Sequence, residues 1–193
     1  MKSYPSILVA MKATITLKDN SKISVRFLQK TDEEKLFRYF TQLSSDTKSR
    51  FGPHFFDKDT VKHICNEQGG DTTRYIALDD KDDLIAYMLV KKGINDGERH
   101  RLLQHNIAFD KTLFCSFAPS VTDAWQSSGL GTAMYEAIEN DIRSNTTFRF
   151  IILWGGVQVT NYRALRYYEK HAFKHAGAFW YDGKDNYDMI KSL

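Results

Sequence analysis

Gly129 and Gly131 stand one residue apart in a run that begins at Val121 and holds Gln126, Ser127, Ser128, Leu130 and Thr132. Glycines at this spacing let a backbone approach a ligand closely and adopt dihedrals that other residues avoid. Directly after them, Leu130, Met134, Ala137, Ile138 and Ile142 recur at helical spacing, so the run predicts a helix over 129–143. A helix that starts there turns its free N–H groups and the positive end of its dipole toward the glycines, an arrangement that holds phosphate oxygens. The hydroxyls of Ser127, Ser128 and Thr132 and the carboxamide of Gln126 add further donors. Two phosphate loops are excluded, because the chain has neither Gly-x-x-x-x-Gly-Lys-Ser/Thr nor Gly-x-Gly-x-x-Gly. Alone, Gly-x-Gly before a helix also describes an ordinary capped loop.

A second group lies downstream: Asn161, Ala164, Tyr167, Tyr168, Glu169, Lys170, His171, Ala172 and Phe173. Asn161 suits the N-cap of a helix running to about His171. The phenol of Tyr168 can donate to a leaving group, whereas Tyr167 reads as packing material. Arg163 and Arg166 either face solvent or reach phosphates.

Together the two groups resemble a known family. Gln126-x-x-Gly129-x-Gly131, preceded by Asp123 and Trp125, is similar to the Gln/Arg-x-x-Gly-x-Gly/Ala signature of the GNAT superfamily of acyl-CoA N-acyltransferases. Asn161-x-x-Ala164 followed by Tyr168, Glu169, Lys170 and Phe173 resembles that family's Asn-x-x-Ala-x-x-x-Tyr-Glu-Lys-x-Gly-Phe. Ala172 stands where the family often has glycine, which implies a less demanding turn or a slightly different helix end. The motifs span about 121–173, and the upstream order fits more loosely from about Ile23.

The resemblance implies a GNAT-like α/β fold: a mixed, mostly antiparallel twisted sheet flanked by helices, with splayed central strands. It implies acetyl-CoA or another acyl-CoA as co-substrate. The pyrophosphate would lie over the N–H groups from Gln126 to Gly131, and the pantetheine between a strand before Val121 and one at Phe148–Leu153. The implied cofactor-binding set is Val121, Gln126, Ser127, Ser128, Gly129, Leu130, Gly131, Thr132 and Asn161, with Tyr168 as leaving-group acid. The expected reaction is N-acetyl transfer to a primary amine of a small molecule. The alternatives are a non-catalytic acyl-CoA sensor and a protein lysine or N-terminal acetyltransferase. Glu98, His105 and Asp110 are all candidate general bases, and so is ordered water. Cys115 sits in an apolar run without a paired histidine, so it reads as structural.

These groups need elements to position them. Alternation predicts a strand at Ile23–Leu28, and Arg74–Leu78 and Leu84–Val90 read as strand-like. Thr31 or Asp32 would cap a helix carrying Leu36, Phe37, Phe40 and Leu43, and Lys58–Glu67 reads as another. The segment 44–56 is a loop or short helix, and 91–101 a hydrophilic loop. An extended segment falls within 103–121, where Pro119 marks an irregularity or local opening. Lys174–Tyr181 and Tyr187–Ile190 close the chain as a hairpin. Residues 1–20 read as a short leader with an extra edge strand at Ala13–Lys18, and 21–193 as one domain. The acceptor pocket is expected near 44–56 and 91–106, where Phe37, Tyr39, Phe40, Phe51, Phe55 and Phe56 supply core or wall.

With 193 residues the chain can bury one sizeable core, and 42% hydrophobic residues exclude intrinsic disorder. A net charge of +3 without a dense basic tract argues against a nucleic-acid binder. Two cysteines and six histidines give neither a disulfide framework nor metal-ligand spacing, so no metal is expected. No apolar stretch is long enough for a membrane span. A cytoplasmic enzyme is expected, with a homodimer compatible with its strand edges and aromatic residues.

Overall fold

The computed structural model describes residues 12–67, 70–107 and 109–193. Residues 1–11 of the expected leader lie outside them, as does Gly69. Alternating burial in β2 (Lys22–Phe27) puts Ile23 and Val25 into the core and their neighbours outward. An edge strand, β1 (Lys12–Thr16), pairs with it. Next come β3 (Thr72–Leu78) and β4 (Leu84–Lys92), which read as nearly continuous apolar runs because both their faces are covered. The sheet continues through β5 (Phe114–Val121) and β6 (Phe150–Leu153). Then β7 (Val157–Gln158), β8 (Lys174–Tyr181) and β9 (Lys184–Ser192) complete it. The order is β1-β2-β3-β4-β5-β6-β9-β7, with β8 on β9, and among the described residues only the β5–β6 pair is parallel.

Helices α5 (Leu130–Asn145) and α6 (Tyr162–Lys170) cover one face, packing Leu130, Met134 and Tyr168 against Met88 and Phe117. On the other face, α1 (Glu33–Gln42) and α3 (Lys58–Asn66) pack Leu36, Phe40, Val61 and Ile64 against Ile76, Tyr87 and Leu89. A short helix, α2 (Ser45–Ser49), falls in the segment 44–56. Asp32 occupies the N-cap position of α1, but its side chain does not cap. It pairs with Arg26 at 2.6 and 2.7 Å and accepts from the Gln29 N–H at 2.8 Å.

One expectation fails here. The segment read as a hydrophilic loop over 91–101 contains α4 (Asp96–Gln104). Its N-terminus is closed by a reciprocal box: Asn95 Oδ1 accepts from the Glu98 N–H at 2.8 Å, and Glu98 accepts from the Asn95 N–H at 2.9 Å. Glu98 and Leu102 are the buried residues of this helix, so its sequence carries almost no apolar periodicity.

The feature that matters for function is where pairing stops. β5 and β6 pair from Phe114–Phe150 to Phe117–Leu153, and a last bond joins the Trp154 N–H to the Phe117 carbonyl at 2.9 Å. Beyond it β5 stays on β4 as far as Ala86–Val121, while the other chain turns away through Gly155 and Gly156 (φ 73° and 72°) into β7. The Thr122 N–H reaches the Ile85 carbonyl at 3.0 Å, so even-numbered residues of β5 face β4 and odd-numbered ones face the gap. Pro119 therefore keeps regular pairing opposite Met88, and its missing N–H falls on the open side. The irregularity expected at Pro119 is an opening on one side only.

Gly156 is irreplaceable on two counts: its positive φ, and the Tyr187 carbonyl oxygen 2.7 Å from where a Cβ would stand. Gly183 has φ +71° with open space around it. Gly183→Ala should cost only the left-handed term, about 1–2 kcal/mol. Gly156→Ala should cost clearly more, because backbone must also move. Urea-unfolding midpoints of the two variants check the order.

Candidate functional site

The turn before α5 combines a one-turn 3-10 helix, Asp123–Trp125, with Ser127 (φ 64°) and Gly129 (φ 92°) in the left-handed region. This alternation of backbone hand points successive N–H groups to the same side. Among the described residues, the N–H groups of Ser127, Ser128, Gly129, Gly131 and Thr132 have no acceptor within the protein. Other members of the expected set are already engaged. The Gln126 N–H reaches the Asp123 carbonyl at 3.3 Å, and its carboxamide donates to the Val121 carbonyl at 3.1 Å and Thr47 Oγ1 at 3.2 Å. The Ser128 hydroxyl donates to the Trp125 carbonyl at 2.7 Å and accepts from the Leu130 N–H at 3.2 Å. Leu130 itself is fully buried, so its side chain anchors the turn to the core.

The turn opens on a cavity of about 580 Å³. Val121, Gln126, Ser127, Ser128, Gly129, Gly131, Thr132, Asn161 and Tyr168 all line it, and Leu130 does not. The cavity passes through the gap beyond Phe117. Met88, Pro119 and Val121 bound it on the α5/α6 face, and Ser120 and Phe51 on the α1/α3 face.

Helix α6 supplies one wall. Asn161 both lines the cavity and caps α6, accepting from the Ala164 N–H at 3.2 Å. The Tyr167 hydroxyl donates to the Gly131 carbonyl at 2.9 Å and so ties α6 to α5. The Tyr168 hydroxyl has no hydrogen bond among the described residues, and burial pushes its phenol above the ordinary value. Arg163, Arg166 and Lys170 line the cavity from the same helix, with Lys18. Ala172 sits at φ 64°, so the turn keeps the left-handed demand that glycine would meet easily, and the less demanding turn expected there is not found.

The other wall comes from α2. The Ser44 N–H and hydroxyl donate to Asp123 at 3.0 and 2.8 Å, and Thr47 Oγ1 donates to it at 2.9 Å. Burial opposes ionisation of Asp123, yet these donors hold its carboxyl below the usual range. Across the gap, Gln158 of β7 donates to the Ser49 carbonyl at 3.1 Å. Thr47, Arg50, Phe51 and Gln158 therefore meet at one mouth.

None of the three candidate bases lines the cavity. Glu98 is fully buried and accepts from the Gly155 N–H at 2.9 Å and the Ser116 hydroxyl at 3.2 Å, and burial pushes its carboxyl up. Asp110 caps a 3-10 turn through Thr112. His105 packs against Gly177 of β8. The Cys115 thiol is pushed up to about 12 by burial and points at the Phe150 carbonyl. Of the aromatic residues expected around the acceptor, only Phe51 lines the cavity, while Phe55 is 81% exposed. The expected contribution from 91–106 is absent from the described lining. Arg50, Ser120 and Gln158 carried no sequence signal. Arg50 is the C-cap of α2, Ser120 lies on β5 and Gln158 on β7, and they meet only in the fold. Among the described residues no group of three or more His, Cys, Asp or Glu side chains is placed to hold a metal, and no helix is long and apolar enough to cross a membrane.

A model of the acetyltransferase (GNAT) family matches residues 36–173. No curated protein matches the chain. Among solved structures, the GNAT domain of PAT from S. lividans superposes with a TM-score of 0.74 at 19% identity, covering 99% of this chain and 100% of that one. An acetyltransferase of the GNAT family from Streptococcus pneumoniae gives 0.67 at 15% identity, covering 89% and 99%. A spermidine/spermine N-acetyltransferase, SpeG from Vibrio cholerae, gives 0.62 at 17% identity, covering 88% and 92%. At these identities the likeness carries the fold.

Proposed function

This chain belongs to the acetyltransferase (GNAT) family, and on that footing we propose that it transfers an acetyl group from acetyl-CoA directly to the primary amine of a small-molecule acceptor. One observation carries the reading. The unengaged N–H groups at the start of α5 and the unengaged Tyr168 hydroxyl line one cavity, which opens through the gap between β5 and β7. The residues fit the co-substrate. Five N–H groups and the basic residues of α6 suit a pyrophosphate with its nucleotide. The gap-facing edge of β5 leaves the Pro119 carbonyl and the Val121 N–H available to amides.

Acetyl-CoA, when bound, supplies an acyl group activated as a thioester. The protein orients it, brings the acceptor from the opposite face, and excludes bulk water from the gap. The Tyr168 hydroxyl stays protonated because of its burial, and donates toward the position of the departing sulfur. No carboxylate or imidazole lines the cavity among the described residues, so water takes the proton that the ammonium acceptor must lose.

Thiol release from acetyl-CoA with a panel of primary amines tests the reading. Amine-dependent release is the expected result. Tight acetyl-CoA binding without turnover on any amine would instead make the protein a sensor.

A further inference from the structure

We propose that the acceptor carries an oxyanion, a carboxylate or phosphate, beside its amine, and that Arg50 holds that group at the mouth of the cavity. The proposal rests on the acetyltransfer reading above and names its substrate class. The cavity crosses the sheet, so its two ends have separate chemistry. The α6 basic residues lie on the face that carries the anion turn, and Lys18 follows Leu17, which packs in the core of that face. At the opposite mouth, with Thr47, Phe51, Ser120 and Gln158, Arg50 is the charged residue among the described lining.

Arg50 has donors to spare. Its Nε and Nη2 both address one oxygen of Asp46, at 3.0 and 2.9 Å. A guanidinium has five N–H donors, so most of the fork remains for a guest, and its planar shape matches carboxylate and phosphate oxygens.

The lining contains no Asp or Glu among the described residues. Residues 1–11, 68, 69 and 108 contain none either, so they could not supply one. Two carboxylates on and against α2 are committed: Asp46 to Arg50, and Asp123 to Ser44 and Thr47. A polyamine, the acceptor for which the V. cholerae neighbour is named, would bring several positive charges to a cavity lined by Lys18, Arg50, Arg163, Arg166 and Lys170. Each such like-charge approach is repulsive even in partly solvated surroundings. An acceptor with its own anion removes that penalty and uses the open side of Arg50.

Titration calorimetry of the CoA-saturated protein with acetylated products tests this. The probes are N-acetyl amino acids, N-acetylethanolamine phosphate, the neutral N-acetyl amino acid amides, and N-acetylspermidine. At least one oxyanion class should bind about tenfold or more tightly than the amides, and the stronger of the two identifies the source. Arg50→Gln should bring that preference to about one, and Arg50→Lys should keep part of it, with CoA binding showing that both variants are folded. Equal binding of acids and amides overturns the proposal, as do a preference for N-acetylspermidine, no binding of any probe, or an unchanged preference in Arg50→Gln. In those cases the acetyltransfer reading stands on its own thiol-release assay. Failure of CoA itself to bind takes both down.

Discussion

Gly129→Asp should weaken acetyl-CoA binding about a hundredfold, while Gly129→Asn weakens it less than about tenfold. At Gly129 no atom lies within 4 Å of where a Cβ would stand, so neither side chain collides with the protein. Both variants meet the same left-handed backbone, φ 92°, which Asn and Asp tolerate better than other residues. What separates them is one negative charge at a turn whose N–H groups await an anion. A like charge near 4 Å costs about 1–4 kcal/mol in surroundings between water and protein, and about 2.7 kcal/mol is a hundredfold in affinity. The gap between the two variants should shrink with added salt, because the turn faces solvent. Calorimetry with acetyl-CoA at two ionic strengths checks it. Equal affinities for the Asp and Asn variants would show that no anion binds there.

Tyr168→Phe should lower kcat about a hundredfold, with acetyl-CoA affinity and thermal stability close to unchanged. The substitution is unusually clean. The hydroxyl has no partner among the described residues, so its removal leaves no orphaned group, while the ring keeps its packing against Tyr167 and Phe173. The loss lies at the low end for a general acid, about 10²–10⁴. Burial makes this phenol a weak acid, so its contribution is chiefly a hydrogen bond to developing charge on sulfur. The same burial keeps the group protonated, so the wild-type rate should show no alkaline fall from Tyr168 up to about pH 9. Single-turnover kinetics with Tyr168→Phe, beside a thermal melt, measure both. Wild-type turnover in this variant would remove Tyr168 from the chemistry.

What the sequence disclosed follows from how local each feature is. The glycine turn and α5 are neighbours in the chain, and Asn161 and Tyr168 share one helix, so spacing alone brought their residues together. α4 escaped because only Glu98 and Leu102 are buried, which leaves no apolar stripe, although Asn95 and Glu98 stand at capping-box spacing. β7 is two residues long and takes its identity from β9, some thirty positions away along the chain. Glu98 looked like a base because it is a carboxylate near a central strand. Its burial comes from a tertiary contact with Gly155, which nothing around position 98 announces. Arg50 lies in the segment 44–56 expected near the acceptor, but no motif singles it out; the fold of α2 places it at the mouth.

Pro119 has one more consequence. On the open side of β5, the positions facing the gap offer the Pro119 carbonyl and then the Val121 N–H, and the Val121 carbonyl is shared with Gln126. Any other residue at 119 would present a second hydrogen there. The exposed edge is therefore keyed rather than uniform: a visiting amide chain can seat its hydrogen against position 119 and its oxygen against position 121, and a slip that offers an oxygen to 119 meets nothing. One imino acid thus gives a sheet edge a direction and a single threading position.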